Sequence, residues 1–209
     1  MINLYNYYSN PSELDHQEKY QNAINNVISD VHVGWHYSYD WMVLKHVIKK
    51  IPLYAQYYAK NTIKGRWLEA EPYILKGGSN IYSYALDVIK GRWPEGEAEL
   101  LQARIEDGKY MLYMYARYVI KDEWPEAEKV ILTDCEATYH YTAYVLKRRW
   151  PEGEKAMLET YTDRDNDCYY LSEYAKCFMK ERWLEAEPLI KQLAPIWSDY
   201  CEIFNILPD

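Results

Sequence analysis

The chain has 209 residues and a formal net charge of −8, and 49% of its residues are hydrophobic. A chain of this length can bury one sizeable core, and its acidic balance argues against a nucleic-acid partner, because phosphate contacts need clustered Lys and Arg. Its aromatic residues are 24 Tyr and 8 Trp with only 2 Phe, a composition typical of half-buried surfaces that keep a polar tip in water.

No targeting or membrane-spanning segment is predicted. The opening MINLYNYYSN has neither the basic region nor the apolar region of a secretory signal. No apolar run approaches the roughly 20 residues of a membrane span. No two of the four cysteines are spaced as CxxC. These features predict a cytoplasmic protein with reduced thiols and no membrane contact.

Residues 1–53 are predicted to form an N-terminal cap. Asn10 followed by Pro11 is a helix-start signal, and this helix should run to about Ser29. Residues 39–50 resemble the first helix of a repeat, but the corner motif that should follow is missing. We interpret them as a degenerate repeat, since a solenoid needs an atypical unit at each end.

One constellation in this segment resembles a metal site. His32, His36 and Asp40 are spaced i, i+4 and i+8, so they would share one face of a helix. Histidines at i and i+4 can ligate zinc, but Gly34 interrupts the segment and no glutamate is placed as in HExxH. We therefore interpret the three residues as a junction between helices and predict no metal site.

Residues 54–191 carry five copies of one motif, for which KGRWPEGE is typical. Its tryptophans are Trp67, Trp93, Trp124, Trp150 and Trp183. Their spacings of 26 to 33 residues suit a two-helix repeat. The third residue after each of these tryptophans alternates between Ala and Gly from copy to copy. The repeats are therefore predicted to come in pairs.

Each residue of the motif has a predicted structural role. A Lys ends the first helix, where a cation is favourable, and Gly65 and Gly91 look like C-cap residues. The Trp fills the corner, and Pro94 and its equivalents suit the first position of the second helix. Glutamates follow in the first turn, and we expect the Lys and Arg before the Trp to pair with them on the surface. Glutamates at i and i+2 diverge on a helix, so they form no catalytic pair.

These patterns predict an all-α fold, an α-solenoid of about five short helix-turn-helix repeats with Trp-Pro-Glu corners and capping helices at both ends. Residues 192–209, with Trp197 and Phe204, form the predicted C-terminal cap of one continuous domain. No Gly-rich phosphate loop or nucleophile motif is present. The sequence therefore predicts neither an enzyme nor a cofactor.

Positions that differ between the copies are free of the shared packing demands, and on the first helices they would form one long surface. We predict a partner-binding face there, with these members: Tyr57, Met114, Arg117, Tyr118, His140, Tyr144 and Lys176. The alternative is a merely solvated face. Exposed Tyr, Met and His are unusual choices where only solubility is needed.

The string Tyr-Ala-x-x-Val-Ile-Lys-Gly-Arg-Trp-Pro-Glu-(Ala/Gly)-Glu, over residues 54–191, resembles a tandem repeat of bacteriophage and prophage proteins. The resemblance implies a phage-encoded protein that acts in the bacterial cytoplasm. It also implies that the chain binds a host protein and inhibits antiviral defence. An alternative from another class is a binder, or sponge, for a small nucleotide signal, in which Tyr and Trp stack on the base and Arg92, Arg149 or Arg182 holds phosphate.

Overall fold

The computed structural model describes residues 45–102, 108–162 and 165–207, and every regular element in these ranges is helical. In chain order the α-helices are α1 (Pro52–Tyr58), α2 (Glu71–Ile74), α3 (Gly78–Tyr84), α4 (Pro94–Leu101), α5 (Gly108–Tyr115), α6 (Pro125–Ile131), α7 (Cys135–Tyr141), α8 (Pro151–Glu159), α9 (Asp165–Tyr174), α10 (Glu187–Ile190) and α11 (Ala194–Phe204).

The helices alternate between two roles. Each odd-numbered helix packs against the next odd-numbered one, from α1 through to α11, and each even-numbered helix packs against the odd-numbered helix before it. This arrangement is an α-solenoid, so the predicted fold class is confirmed. The predicted N-terminal helix, together with His32, His36 and Asp40, lies outside the described residues.

The first helix of each repeat ends in a five-residue π-helical segment. These segments are Ala59–Ile63, Ala85–Ile89, Ala116–Ile120, Thr142–Leu146 and Ala175–Met179. The Lys that follows each one is left-handed, with φ between 53° and 62°. The N–H of Lys90, for example, donates to the carbonyl of Ala85 over 2.7 Å. The wider π turn closes on the carbonyl five residues back, and this places the turn of the chain at the lysine.

The prediction that Gly65 and Gly91 are the C-cap residues is therefore wrong. Neither glycine has a left-handed φ, and a Cβ added to either would meet no atom within 4 Å. The left-handed position belongs to Lys64 and Lys90. A left-handed lysine carries a backbone strain of about 1–2 kcal/mol, which the closure of the π turn must offset.

The five predicted corner tryptophans are buried, with exposed fractions of 1% to 8%. After three of them, a proline begins the second helix at its first position, as predicted for Pro94, Pro125 and Pro151. Leu68 and Leu184 replace proline in the other two copies, and there the second helix begins only at Glu71 and Glu187. Proline presets the helical φ, so its absence is consistent with the later start.

The alternation of Gly and Ala has a steric explanation. A Cβ on Gly96 would lie 2.7 Å from Cγ2 of Ile81 and from Cε3 of Trp93. A Cβ on Gly153 would lie 2.6 Å from Cε3 of Trp150 and 3.2 Å from Cγ2 of Thr138. Every corner has its Trp, so the β-branched partner is what differs between copies. Ile81 and Thr138 are β-branched residues of the first helix in the same repeat. The three repeats that have Ala in the corner carry Ala or Leu at the corresponding position, without a Cγ2 methyl: Ala55, Leu112 and Leu171.

Candidate functional site

The Trp corners are closed by tyrosines from the following repeat. The backbone N–H of Trp93 donates to Oη of Tyr115 over 2.8 Å, and that hydroxyl donates to Oε1 of Glu97 over 3.1 Å. The corresponding pairs are Trp67 with Tyr84, Trp124 with Tyr141, Trp150 with Tyr174 and Trp183 with Tyr200. Burial raises the pKa of Tyr115 well above its usual range, so its hydroxyl keeps the proton that it donates.

The arginines before the Trp are also part of the corners. Arg92 holds Glu97 through Nε and Nη2, at 2.9 and 2.6 Å. The same bidentate contact joins Arg66 to Glu71, Arg149 to Glu154 and Arg182 to Glu187. The predicted pairing of Arg with Glu is thus confirmed in four copies.

Two expectations about these side chains need correction. Glu71, Glu97 and Glu187 are only 8% to 9% exposed, so the pairs are not surface pairs on the glutamate side. The reason is the tyrosine hydroxyl, which covers each carboxylate. In addition, Arg92, Arg149 and Arg182 each donate from Nε and Nη2 to a glutamate of their own corner, so these donors are not available to a phosphate.

A cluster of aromatic rings crosses the odd-numbered helices α3, α5, α7 and α9, and its Tyr82–Tyr118 pair joins the other rings through the guanidinium of Arg117. We name it the aromatic face and define it by these residues: Tyr82, Tyr110, Tyr113, Arg117, Tyr118, Tyr139, His140, Tyr144, Tyr169 and Tyr170. Neighbouring ring centroids lie 4.8 to 6.5 Å apart. The packing of successive odd-numbered helices brings these rings together.

His140 lies at the centre of the aromatic face. Its ring stacks on Tyr113 at 5.0 Å and on Tyr144 at 5.6 Å, with interplanar angles of 21° and 10°. Burial lowers the pKa of His140, and the charge of Arg117 acts in the same direction, while Glu136 opposes both. The imidazole is therefore neutral at neutral pH. Its Nδ1 is buried without a hydrogen-bond partner among the described residues.

Glu136 and Arg117 supply the charges of the aromatic face. Oε1 of Glu136 accepts a 2.9 Å hydrogen bond from the hydroxyl of Tyr170 and lies 3.6 Å from Nε2 of His140. The guanidinium carbon of Arg117 lies 4.0 Å from the ring centroid of Tyr144 and 4.7 Å from that of Tyr118. The cation thus spans two neighbouring repeats on aromatic surfaces.

The structure brings four predicted face residues into this cluster, Arg117, Tyr118, His140 and Tyr144. Met114 is half-buried and packs against the hydrophobic core. Tyr57 is exposed on α1 and belongs to none of the ring pairs of the face.

The predicted Lys176 lies outside the aromatic face, on the π-helical segment that follows α9. It contacts Glu173 at 3.3 Å. Beside it, a depression of about 280 Å³ is lined by residues of α9, its π-helical segment and α11, among them Tyr169, Ile196 and Ile203.

Sequence reasoning missed six of the ten members of the aromatic face: Tyr82, Tyr110, Tyr113, Tyr139, Tyr169 and Tyr170. Tyr110 and Tyr113 lie one helical turn before the predicted Met114 and Arg117, on the same side of the helix. Tyr139 directly precedes the predicted His140, and Tyr169 lies two turns before the predicted Lys176. Tyr113 and Tyr139 occupy a position at which several copies share Tyr, and shared positions are the ones expected to serve the common packing. The available signal was the spacing of three and four residues from Arg117 back to Tyr113 and Tyr110, which is the helical period.

Within residues 45–102, 108–162 and 165–207, no three His, Cys, Asp or Glu side chains are grouped to hold a metal ion. No helix in these ranges has both the length and the apolar character needed to cross a membrane. No protein-family model, curated protein or solved structure matches the chain. The resemblance to bacteriophage repeat proteins therefore stays a prediction.

Proposed function

We propose that this chain is a non-catalytic binding module that holds a protein partner on its aromatic face. The observation that carries the proposal is the exposure of four neighbouring tyrosines, Tyr110, Tyr118, Tyr144 and Tyr169, each 37% to 44% exposed. Tyrosine is enriched among residues that dominate binding energy, because its large ring buries apolar area while the hydroxyl stays hydrogen-bonded.

The packing of these rings favours binding over a merely solvated face. Each ring is held by neighbouring rings on helices of the solenoid, so little side-chain freedom remains to be lost when a partner docks. The other exposed edge of the repeats, at the corners, carries mainly charged residues such as Lys121, Arg148 and Glu181. A face that only had to keep the protein soluble would carry charged side chains of that kind rather than exposed tyrosines.

The narrower form of the proposal concerns the identity of the partner. The chain would be encoded by a bacteriophage and bind a bacterial host protein in the cytoplasm, and this binding would inhibit antiviral defence. Its support is the resemblance of the repeat motif. The absence of a catalytic motif agrees with inhibition by binding.

Affinity capture from nuclease-treated bacterial lysate, followed by mass spectrometry, tests the proposal. The wild type should retain a partner at near-stoichiometric yield, and Tyr118→Ala with Tyr144→Ala should lose it. The matched control is Leu68→Ala with Leu184→Ala, which removes two exposed apolar side chains from the corners. Equal capture by the tyrosine variant, with unchanged helicity, would contradict the aromatic face as the binding surface.

A second candidate function, binding of a small anionic ligand such as a nucleotide, has one observation in its favour. A depression of about 390 Å³ between the first two complete repeats is lined by Lys60, Lys64 and Lys90, with Asp87 paired to Lys60 at 2.8 Å. A nucleotide panel should then raise the melting temperature of the wild type but not of Lys64→Ala with Lys90→Ala. Lys121→Ala is the control, and a flat response would exclude the candidate.

A further inference from the structure

Arg117 differs from every other arginine in the described ranges. The other five each donate a hydrogen bond of 3.1 Å or less to a glutamate: Arg66, Arg92, Arg148, Arg149 and Arg182. Arg117 has no hydrogen bond and no ion pair with a described residue, and its contacts are the rings of Tyr118 and Tyr144. In a chain with a net charge of −8, an arginine left without a carboxylate is conspicuous.

Among the described residues, the carboxylates around Arg117 are engaged by other side chains. The corresponding positions in the preceding and following repeats are Leu86 and Ala143. Glu136 is engaged by the hydroxyl of Tyr170, and Asp87 is engaged by Lys60. No side chain of the aromatic face therefore neutralises the guanidinium.

The ring contacts fix Arg117 without using its donors. A guanidinium that lies on an aromatic ring interacts through its flat face, and its N–H groups point outward in the plane. Because Tyr118 and Tyr144 belong to successive repeats, the ring contacts of Arg117 come from two repeats. These contacts restrict the guanidinium before any partner arrives, and a planar guanidinium fork can bind a carboxylate bidentately.

We infer that Arg117 is the docking point for a carboxylate side chain, Asp or Glu, of the protein partner. The inference rests on the proposed function, since it names the chemistry by which the aromatic face recognises that partner. The partner presents a single acidic residue flanked by apolar or aromatic groups that cover Tyr118 and Tyr144. A strongly acidic stretch would be repelled by the net negative charge of the chain.

A displayed library of random short peptides, selected on the full-length chain, tests the inference. Peptides retained by the wild type should be enriched in Asp or Glu at one position, and this enrichment should vanish on Arg117→Gln. Changing the peptide acid to its amide should lower affinity for the wild type roughly 10- to 100-fold and leave the affinity of Arg117→Gln nearly unchanged.

Two further variants separate recognition from folding. Arg117→Lys keeps the charge but loses the planar fork, so its affinity should be intermediate. Arg148→Gln removes an exposed arginine at the corner, and its affinity should equal that of the wild type. Circular dichroism of each variant reports whether the helices persist.

The outcomes distinguish failure of the inference from failure of the proposed function. Selected peptides that need Tyr118 and Tyr144 but carry no preferred acid would overturn the inference alone. Equal enrichment of acids on Arg117→Gln would do the same. Tight binding of ATP or inorganic phosphate that Arg117→Gln abolishes would replace the partner carboxylate with a free oxyanion. No peptide and no captured protein on any variant would overturn both proposals.

Discussion

Tyr141 accepts a 2.6 Å hydrogen bond from the backbone N–H of Trp124, across the boundary between two repeats. The same hydroxyl donates to Oε1 of Glu128 over 3.1 Å. Tyr141 is fully buried, so neither bond can be replaced by solvent without rearrangement. Each repeat is therefore completed by a side chain of the next one, and Tyr200 of α11 completes the last corner in the same way.

Tyr141→Phe should lower the free energy of unfolding by about 1–3 kcal/mol, because the Trp124 N–H would stay buried without an acceptor. The ring and its packing against Trp150 remain, so the loss reports the hydroxyl. Urea unfolding followed by circular dichroism gives the value. Tyr118→Phe is the control, since that tyrosine is exposed, and it should stay within about 0.5 kcal/mol of the wild type. Equal stability of Tyr141→Phe and the wild type would show that the bond contributes nothing.

Gly96→Ala should destabilise the chain, because the new Cβ would lie 2.7 Å from both Cγ2 of Ile81 and Cε3 of Trp93. Overpacking of this kind costs about 1–3 kcal/mol, partly offset by the better helix propensity of Ala, worth up to about 1 kcal/mol. Adding Ile81→Leu should recover part of the lost stability, because it removes the Cγ2 contact and leaves that with Trp93, and repeats with Leu in that place tolerate Ala. Urea midpoints of the single and double variants provide the comparison. A double variant no better than Gly96→Ala would refute the steric explanation.

The fold was predictable because the motif repeats. Five tryptophans recur every 26 to 33 residues, each with glutamate and three of them with proline after it, and they carry the corner. The buried apolar residues of the second helices follow the helical period. The left-handed lysines were not predictable, because Lys has no preference for that backbone and the neighbouring Gly gives a stronger C-cap signal. The π-helical closure, which has no sequence signature, decides the position.

The candidate site was predictable only in part. Divergence between copies selected Arg117, Tyr118, His140 and Tyr144, which lie together in the structure. The same reasoning treats residues that the copies share as packing residues. Tyr113 is such a residue, yet it is both buried in the core and stacked on His140 of the aromatic face. The unpaired state of Arg117 depends on which carboxylates other side chains engage, and a linear pattern does not contain that information.

Gly91→Ala should raise the free energy of unfolding by about 0.4–1 kcal/mol, because Ala restricts the unfolded chain and its Cβ meets no atom within 4 Å. The prediction separates Gly91 from a left-handed C-cap glycine, at which the same change is unfavourable. Thermal and urea unfolding measure the shift. A loss of stability of about 1 kcal/mol or more would mean that Gly91, and not Lys90, adopts the left-handed backbone.

Protonation of His140 should destabilise the fold as the pH falls. Burial lowers its pKa below the ordinary value of 6.5, with Arg117 adding to the effect and Glu136 opposing it. Above about pH 6.5 the ring is neutral in both the folded and the unfolded chain, so the full stability is present. As the pH falls through 6.5, the unfolded chain binds a proton before the folded chain does, and stability decreases until the folded pKa is passed.

His140→Phe isolates this effect, because phenylalanine keeps a ring between Tyr113 and Tyr144 but does not titrate. The free energy of unfolding is measured at about pH 7.5 and about pH 5.5, on either side of the ordinary histidine pKa. It should decrease from the higher to the lower pH in the wild type, and decrease less in the variant. The other charged groups facing the ring, Glu136 and Arg117, are present in both proteins. The contribution of Glu136 and Arg117 to the pH dependence therefore cancels when the two proteins are compared, apart from any change in that contribution that the substitution of His140 causes. Equal pH dependence of the two proteins would mean that the stacked imidazole titrates as it does in the unfolded chain.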